Sequence, residues 1–160
     1  MQKRVLLLIA VTLSLFLIAA RNVKPLTAGC YGAECRGFYY YEKGCWESWI
    51  AGQNYGIGHY GEIHVEIPYS YSCKSNWTKV TILRVFNCPN FGVVKAQEEP
   101  YPYYSTVRFI NYSGIAGCVF QPGQRYISRM VSGLVPVYGW GGLTRYGNWN
   151  YSPLVRAYAP

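Results

Sequence analysis

The sequence predicts an all-β fold: a small disulfide-stapled β-sandwich or barrel after an N-terminal signal helix. Three observations lead there. Short runs of alternating apolar and polar residues recur between Gly and Pro punctuation, without a long helical period. Six cysteines sit in a chain that opens like an exported one. Tyrosine, at 17, and five tryptophans suit pleated surfaces, where a ring packs and its polar tip stays wet. The expected organisation is a signal peptide over 1–20, a linker over 21–29, a disulfide-rich β domain over 30–131 and a Gly- and aromatic-rich C-terminal extension over 132–160.

Met1-Gln2-Lys3-Arg4 and the apolar run Val5 to Ala20 have the charged and hydrophobic regions of a secretory signal, with small residues at its end for cleavage. The run is also about as long as the shortest membrane-spanning helices, so a retained anchor is the competing expectation. Thr27-Ala28-Gly29-Cys30 has the look of a lipidation motif. Arg21 and Lys24 interrupt it, and lipidated Cys30 would leave five other cysteines, an odd number; a disulfide suits Cys30 better. The expected location is secreted or cell-surface, with membrane contact only through an uncleaved signal segment.

The net charge of +8 invites a nucleic-acid partner, but four of the fifteen basic residues precede Cys30, and the excess from there on is +4. The remaining Lys and Arg are scattered singly, which does not make a phosphate-tracking surface, and no nucleic acid is expected. A chain of 160 residues buries a core without cofactor help, and none is expected.

Cys30, Cys35, Cys45, Cys73, Cys88 and Cys118 are all expected in disulfides; spacing does not choose among the connectivities. A metal is not expected, since no C-x2-C pair exists and His59 and His64 fall inside one hairpin. The irregular stretch from Cys30 to Cys45 needs bridges to hold a shape. Trp46 to Ala51 reads as a strand or one helical turn, and Gly52 to Gly58 as a hairpin loop. Ile63, Val65 and Ile67 alternate with Glu62, His64 and Glu66 to make a half-buried strand that Pro68 ends. After a turn over Tyr69–Ser72, Cys73 and Trp77 should face the same core as Ile63, Val65 and Ile67, and Thr78 to Phe86 forms the neighbouring strand. Asn87 to Gly92 is a turn, Val93 to Ala96 a short strand, Gln97 to Pro102 a surface loop and Thr106 to Ile110 another strand. Ile115 to Phe120 and Tyr126 to Val131 flank Pro122-Gly123, a type II turn signal. The tail from Leu134 reads as extra strands or an exposed adhesive stretch.

With these residues in view, the chain resembles a bacterial family of secreted, cysteine-rich modules, the domain of unknown function 2690. Cys30-x4-Cys35-x9-Cys45 matches its three-cysteine cluster, and Val65-Glu66-Ile67-Pro68-Tyr69-Ser70-x2-Cys73-x3-Trp77 matches its following segment. Tyr126 to Val131 is similar to a later one. The chain departs from the family at Arg36 to Lys43 and in having Ile67-Pro68 for Leu-Arg. The resemblance implies export and a disulfide-bonded module, and no established activity.

Candidate chemistry is thin. Glu62, His64 and Glu66 share one strand face, where a His between two carboxylates can move protons, although a solvated face explains the same pattern. Glu66 is alternatively structural, paired with a basic residue near Arg84. Without Asp a Ser-His-Asp triad is impossible, and a carboxylate-dependent hydrolase using Glu62, Glu66, Glu98 or Glu99 is a remote alternative. No catalytic residue is assigned. The candidate binding residues are Trp140, Trp149 and Tyr151, and further aromatics at Trp46, Trp49, 39–41 and 101–104 extend the set. The expected function is a non-catalytic binding module, its partner a cell-wall polysaccharide or surface protein. The alternative is a structural protein that self-assembles by pairing strand edges.

Overall fold

The computed structural model describes residues 29–100, 103–110, 120–145 and 155–160. The signal segment, Cys118, Trp149 and Tyr151 lie outside the described residues.

Among the described residues ten strands form two antiparallel sheets, with two short 3-10 turns, Gly32–Cys35 and Tyr40–Lys43, before them. The first sheet is built around β2 (Gly61–Ser70). Along one edge β2 pairs with β1 (Trp49–Gly58); along the other it pairs with β4 (Lys79–Val85) and, further on, with β3 (Ser75–Asn76). β7 (Arg125–Ile127) and β8 (Val131–Ser132) pair in turn with β4 and β3. β3 and β4 are thus one interrupted strand, as are β7 and β8. The two interruptions are sewn together: Thr78 N–H donates to Ser128 Oγ at 2.9 Å, and Ser128 N–H to the Thr78 carbonyl at 2.9 Å.

The second sheet has the order β10 (Val155–Ala159), β9 (Val137–Thr144), β5 (Phe91–Glu98), β6 (Tyr104–Ile110). The two sheets pack face to face. Ile63, Val65, Ile67, Val80 and Ile82 of the first meet Val94, Ala96, Val137, Leu143, Val155 and Ala157 of the second in one buried cluster. β9 comes close because its inward positions are glycine. A Cβ on Gly141 would stand 2.7 Å from Val80 Cγ2, and one on Gly139 would stand 2.8 Å from Ile67 Cγ1.

A second cluster holds Cys30, Cys35, Cys45, Cys73, Trp77 and Met130. Disulfides join Cys30 to Cys35 and Cys45 to Cys73, and Cys88 is disulfide-bonded as well. The Tyr40 ring stacks on Trp77 at 4.8 Å. One bridge is therefore local, and the other ties the irregular segment to the turn after β2.

Several expectations are corrected. Trp77 is buried beside Cys73, but Ile63, Val65 and Ile67 belong to the other cluster: Trp77 stands in the break between β3 and β4 and packs with the cysteines and Met130 instead. Pro68 does not end β2, which continues to Ser70; it pairs with Ile50 where β1 is bulged. Residues 52–58 are strand, not loop. Their glycines serve close approach: a side chain at Gly52 would run into the Tyr158 carbonyl, and one at Gly56 into Val155. Gln97 and Glu98 belong to β5, and Glu98 is 3 % exposed. Residues after 131 supply β9, which sits in the middle of the second sheet, and β10, whose Val155, Ala157 and Ala159 enter the main core. The Pro122-Gly123 turn is present, with Gly123 at φ 88°.

Candidate binding site

The outward face of the second sheet is read off its register. Lys95 on β5 lies opposite Trp140 on β9, and Trp140 opposite Arg156 on β10. The next row is Gln97, Tyr138 and Tyr158, with Tyr104 of β6 beside Gln97. Alternation puts these polar and aromatic side chains outward because their neighbours Val94, Ala96, Val137 and Ala157 are taken by the core.

On this face Arg156 and Lys95 sit over rings. Arg156 Cζ is 3.5 Å from the centre of the Tyr138 ring and 5.0 Å from that of Trp140. Lys95 Nζ stands 4.9 Å from Tyr104 and 6.0 Å from Trp140. Burial pushes the Lys95 ammonium below its ordinary value, so its charge is incompletely hydrated. A hydrogen bond to Glu99, aided by burial, raises the Tyr138 phenol, and that carboxylate marks the edge of the face. The Trp140 indole N–H is buried without a hydrogen-bond partner among the described residues.

Around the β6 edge the face runs into a groove of about 470 Å³. One wall is Tyr103 and β6 from Tyr104 to Arg108; the other is Gly37, Tyr39 and Arg129. The walls are tied together. Arg129 N–H donates to Ser105 Oγ at 3.1 Å, Gly37 N–H to the Met130 carbonyl at 3.1 Å, and Met130 N–H to the Phe38 carbonyl at 2.8 Å. Behind them Arg36 engages both carboxylate oxygens of Glu98 and lies 5.0 Å over the Tyr103 ring. The guanidinium of Arg129 stands 5.6 Å over the Tyr39 ring. Among the described residues, Lys95, Arg108, Arg129 and Arg156 make no ion pair.

The first sheet is the contrast. Glu62, His64 and Glu66 do share an outward face of β2, where Glu62 meets Arg84 at 3.3 Å and Glu66 meets Lys79 at 3.2 Å. Glu66 is thus paired with Lys79, and Arg84 belongs to Glu62. Lys79 also reaches Glu47 at 3.5 Å, and His64 is sandwiched by the stacked Tyr55 ring at 4.0 Å and by Gln53 Oε1 at 3.1 Å. This is a ladder of matched charges. Of the other carboxylates considered, Glu98 is held by Arg36 and the Ser132 N–H, and Glu99 by Tyr138.

Of the residues singled out in the sequence, Trp140 lies on the cationic face. Trp49 packs instead on Tyr69 at 4.5 Å, near Tyr71 and Lys74, as a smaller aromatic patch on the first sheet. Lys95, Arg108, Arg129 and Arg156 were not singled out; the alternation of Tyr138 with Trp140, and of Arg156 with Tyr158, was the available signal. The sulfurs of Cys30, Cys35, Cys45 and Cys73 lie within 4.8 Å of one another, a spacing that thiols could use for a metal, but here they are consumed in two disulfides. No family model matches the chain, and no curated protein or solved structure is similar to it.

Proposed function

We propose that the protein is an exported, non-catalytic binding module whose ligand face is the outward side of the β10-β9-β5-β6 sheet. The observation that carries this reading is the charge asymmetry of the two sheets. Lys79 and Arg84, beside β2 on the first, are matched by carboxylates and only Arg125 on its edge strand β7 is not, whereas Lys95 and Arg156 on the second flank Trp140 with no carboxylate of their own among the described residues. Burial leaves the Lys95 ammonium partly dehydrated, a cost that the attraction of the rings it faces offsets only in part, and a bound anionic partner would offset the rest. Disulfides in a segment with little core of its own fit an oxidising, extracellular compartment. Among the described residues no helix is long and apolar enough to cross a membrane. The resemblance on the cysteine cluster and on the Glu66 to Trp77 spacing adds export to this reading and no activity.

Co-sedimentation of the mature protein with insoluble cell-envelope material tests it. The wild type should pellet with the material, and a Trp140→Ala, Arg156→Gln variant with an unchanged denaturant midpoint should pellet at least about tenfold less, the loss of roughly 1.4 kcal/mol or more expected of two central contacts. Equal pelleting of both would remove this face from the function. Filaments in the purified protein that persist in the variant would put strand-edge assembly in its place.

A further inference from the structure

Resting on the binding-module reading, we infer that the groove between β6 and the Gly37–Tyr39 segment is a subsite for an acidic sugar unit, one carrying a carboxylate or a phosphate. Its volume of about 470 Å³ falls in the range of small-ligand sites. Its lining is specific in kind. Tyr39, Tyr103 and Tyr104, which already carry Arg129, Arg36 and Lys95 over one side, add ring edges and hydroxyls for a pyranose, and Ser105 and Thr106 add hydroxyls that donate or accept.

Arg108 and Arg129 supply the charge. Both line the groove, both are exposed, and neither is matched by a carboxylate among the described residues. Guanidinium groups in such a position form charge-assisted, often bidentate bonds to a carboxylate or phosphate. Among the described residues the carboxylate behind the groove, Glu98, is buried and already committed to Arg36 and to Ser132 N–H at 2.6 Å, so it neither repels an anion nor neutralises the two arginines. The walls are fixed in advance by the Arg129–Ser105 and Gly37–Met130 bonds, which lowers the ordering cost of binding. A single-stranded nucleic acid would ask for successive stacking platforms along a continuous cationic track, and here two cations serve one short groove.

The test is titration of the full mature protein with matched oligosaccharides: an oligouronate against its carboxyl-reduced neutral form, and a phosphorylated oligosaccharide against its dephosphorylated form. The wild type should prefer at least one acidic member by about tenfold or more. R129Q and R108Q, verified to keep the wild-type denaturant midpoint, should bring that preference below about twofold while leaving affinity for the neutral member within about twofold. Equal wild-type affinity for both members of each pair overturns the subsite but leaves the binding-module reading standing. So does a preference that survives both substitutions. Tighter binding of a single-stranded oligonucleotide than of either acidic sugar also overturns it. Failure of the wild type to pellet with any envelope material is instead the failure of the broader reading.

Discussion

Arg36, the residue that follows the Cys30–Cys35 bridge, engages both carboxylate oxygens of Glu98 at the end of β5, 62 residues further along the chain. The side chain of Glu98 is 4 % exposed and that of Arg36 37 %, so the carboxylate is the committed partner and the guanidinium remains within reach of water. Its hydrogen bond to Glu98 raises the Arg36 pKa above its ordinary value. Arg36→Ala should destabilise by roughly 2–3 kcal/mol, below the loss for a fully buried pair because water screens the guanidinium. Arg36→Ala with Glu98→Gln should recover part of that. Denaturant unfolding of the two variants checks it; equal stability of Arg36→Ala and wild type would reduce the pair to a surface contact.

Trp77 is 1 % exposed, under Tyr40 and among four sulfurs and Met130. Trp77→Ala should cost about 3–5 kcal/mol. Because Ile82 belongs to the other cluster, Trp77→Ala and Ile82→Ala should add to within about 0.5 kcal/mol. A coupling of several times that would mean the two clusters behave as one core.

The two bridges should differ in weight. Cys45–Cys73 closes a separation of 28 residues and Cys30–Cys35 one of 5. On chain-entropy grounds alone the paired Ser variants should lose about 3.5 and about 2 kcal/mol respectively. Mapping of unreduced peptides should recover both pairs, and a free thiol at Cys30 would overturn the assignment.

His64 makes stability pH-dependent. Burial holds its pKa below the ordinary 6.5, with Lys79 acting in the same direction and Glu66 against it. As pH falls through about 6.5 the unfolded chain takes up this proton before the folded one does, so stability falls with acidification until the folded imidazole also titrates. Between pH 7.5 and 5.5, His64→Gln should lose less stability than the wild type. An identical pH profile would show that His64 is protonated equally in both states.

Gly52→Ala should cost about 1–3 kcal/mol, since the new methyl group meets the Tyr158 backbone and β1 and β10 must part. Amide exchange should speed up first in β10. Unchanged exchange there would mean that β10 is held by β9 alone.

What the sequence made legible follows from periodicity. β2 and β4 alternate β-branched with polar residues, and both were visible. β1 is legible only at its start, Trp49 to Ala51, and β9 only as one of two readings of the tail, because glycine reads as loop-forming when here it stands at inward positions for lack of room. In β9 the pattern Val137-Tyr138-Gly139-Trp140-Gly141 is a perfect alternation once glycine is counted with the core. Trp140 was nameable as a binding residue from composition. Its cationic neighbours were not, since Lys95 and Arg156 reach it only through a register that joins positions 45 and 16 residues away, and Glu98 looked like a loop residue beside Glu99 and Pro100.

Asn54 Nδ2 donates to the Arg156 carbonyl at 2.8 Å, and with the Gly52 approach to Tyr158 this joins the first strand to the last across 102 residues. The architecture therefore closes on itself only when its final strand arrives. A nascent chain whose β10 has not yet emerged has the core positions of Val155, Ala157 and Ala159 vacant, so completion of the core waits for that strand. Dominated by pairings distant in sequence, such a chain belongs with the slow folders, in the millisecond-to-second class. Until that strand arrives it stays threadable.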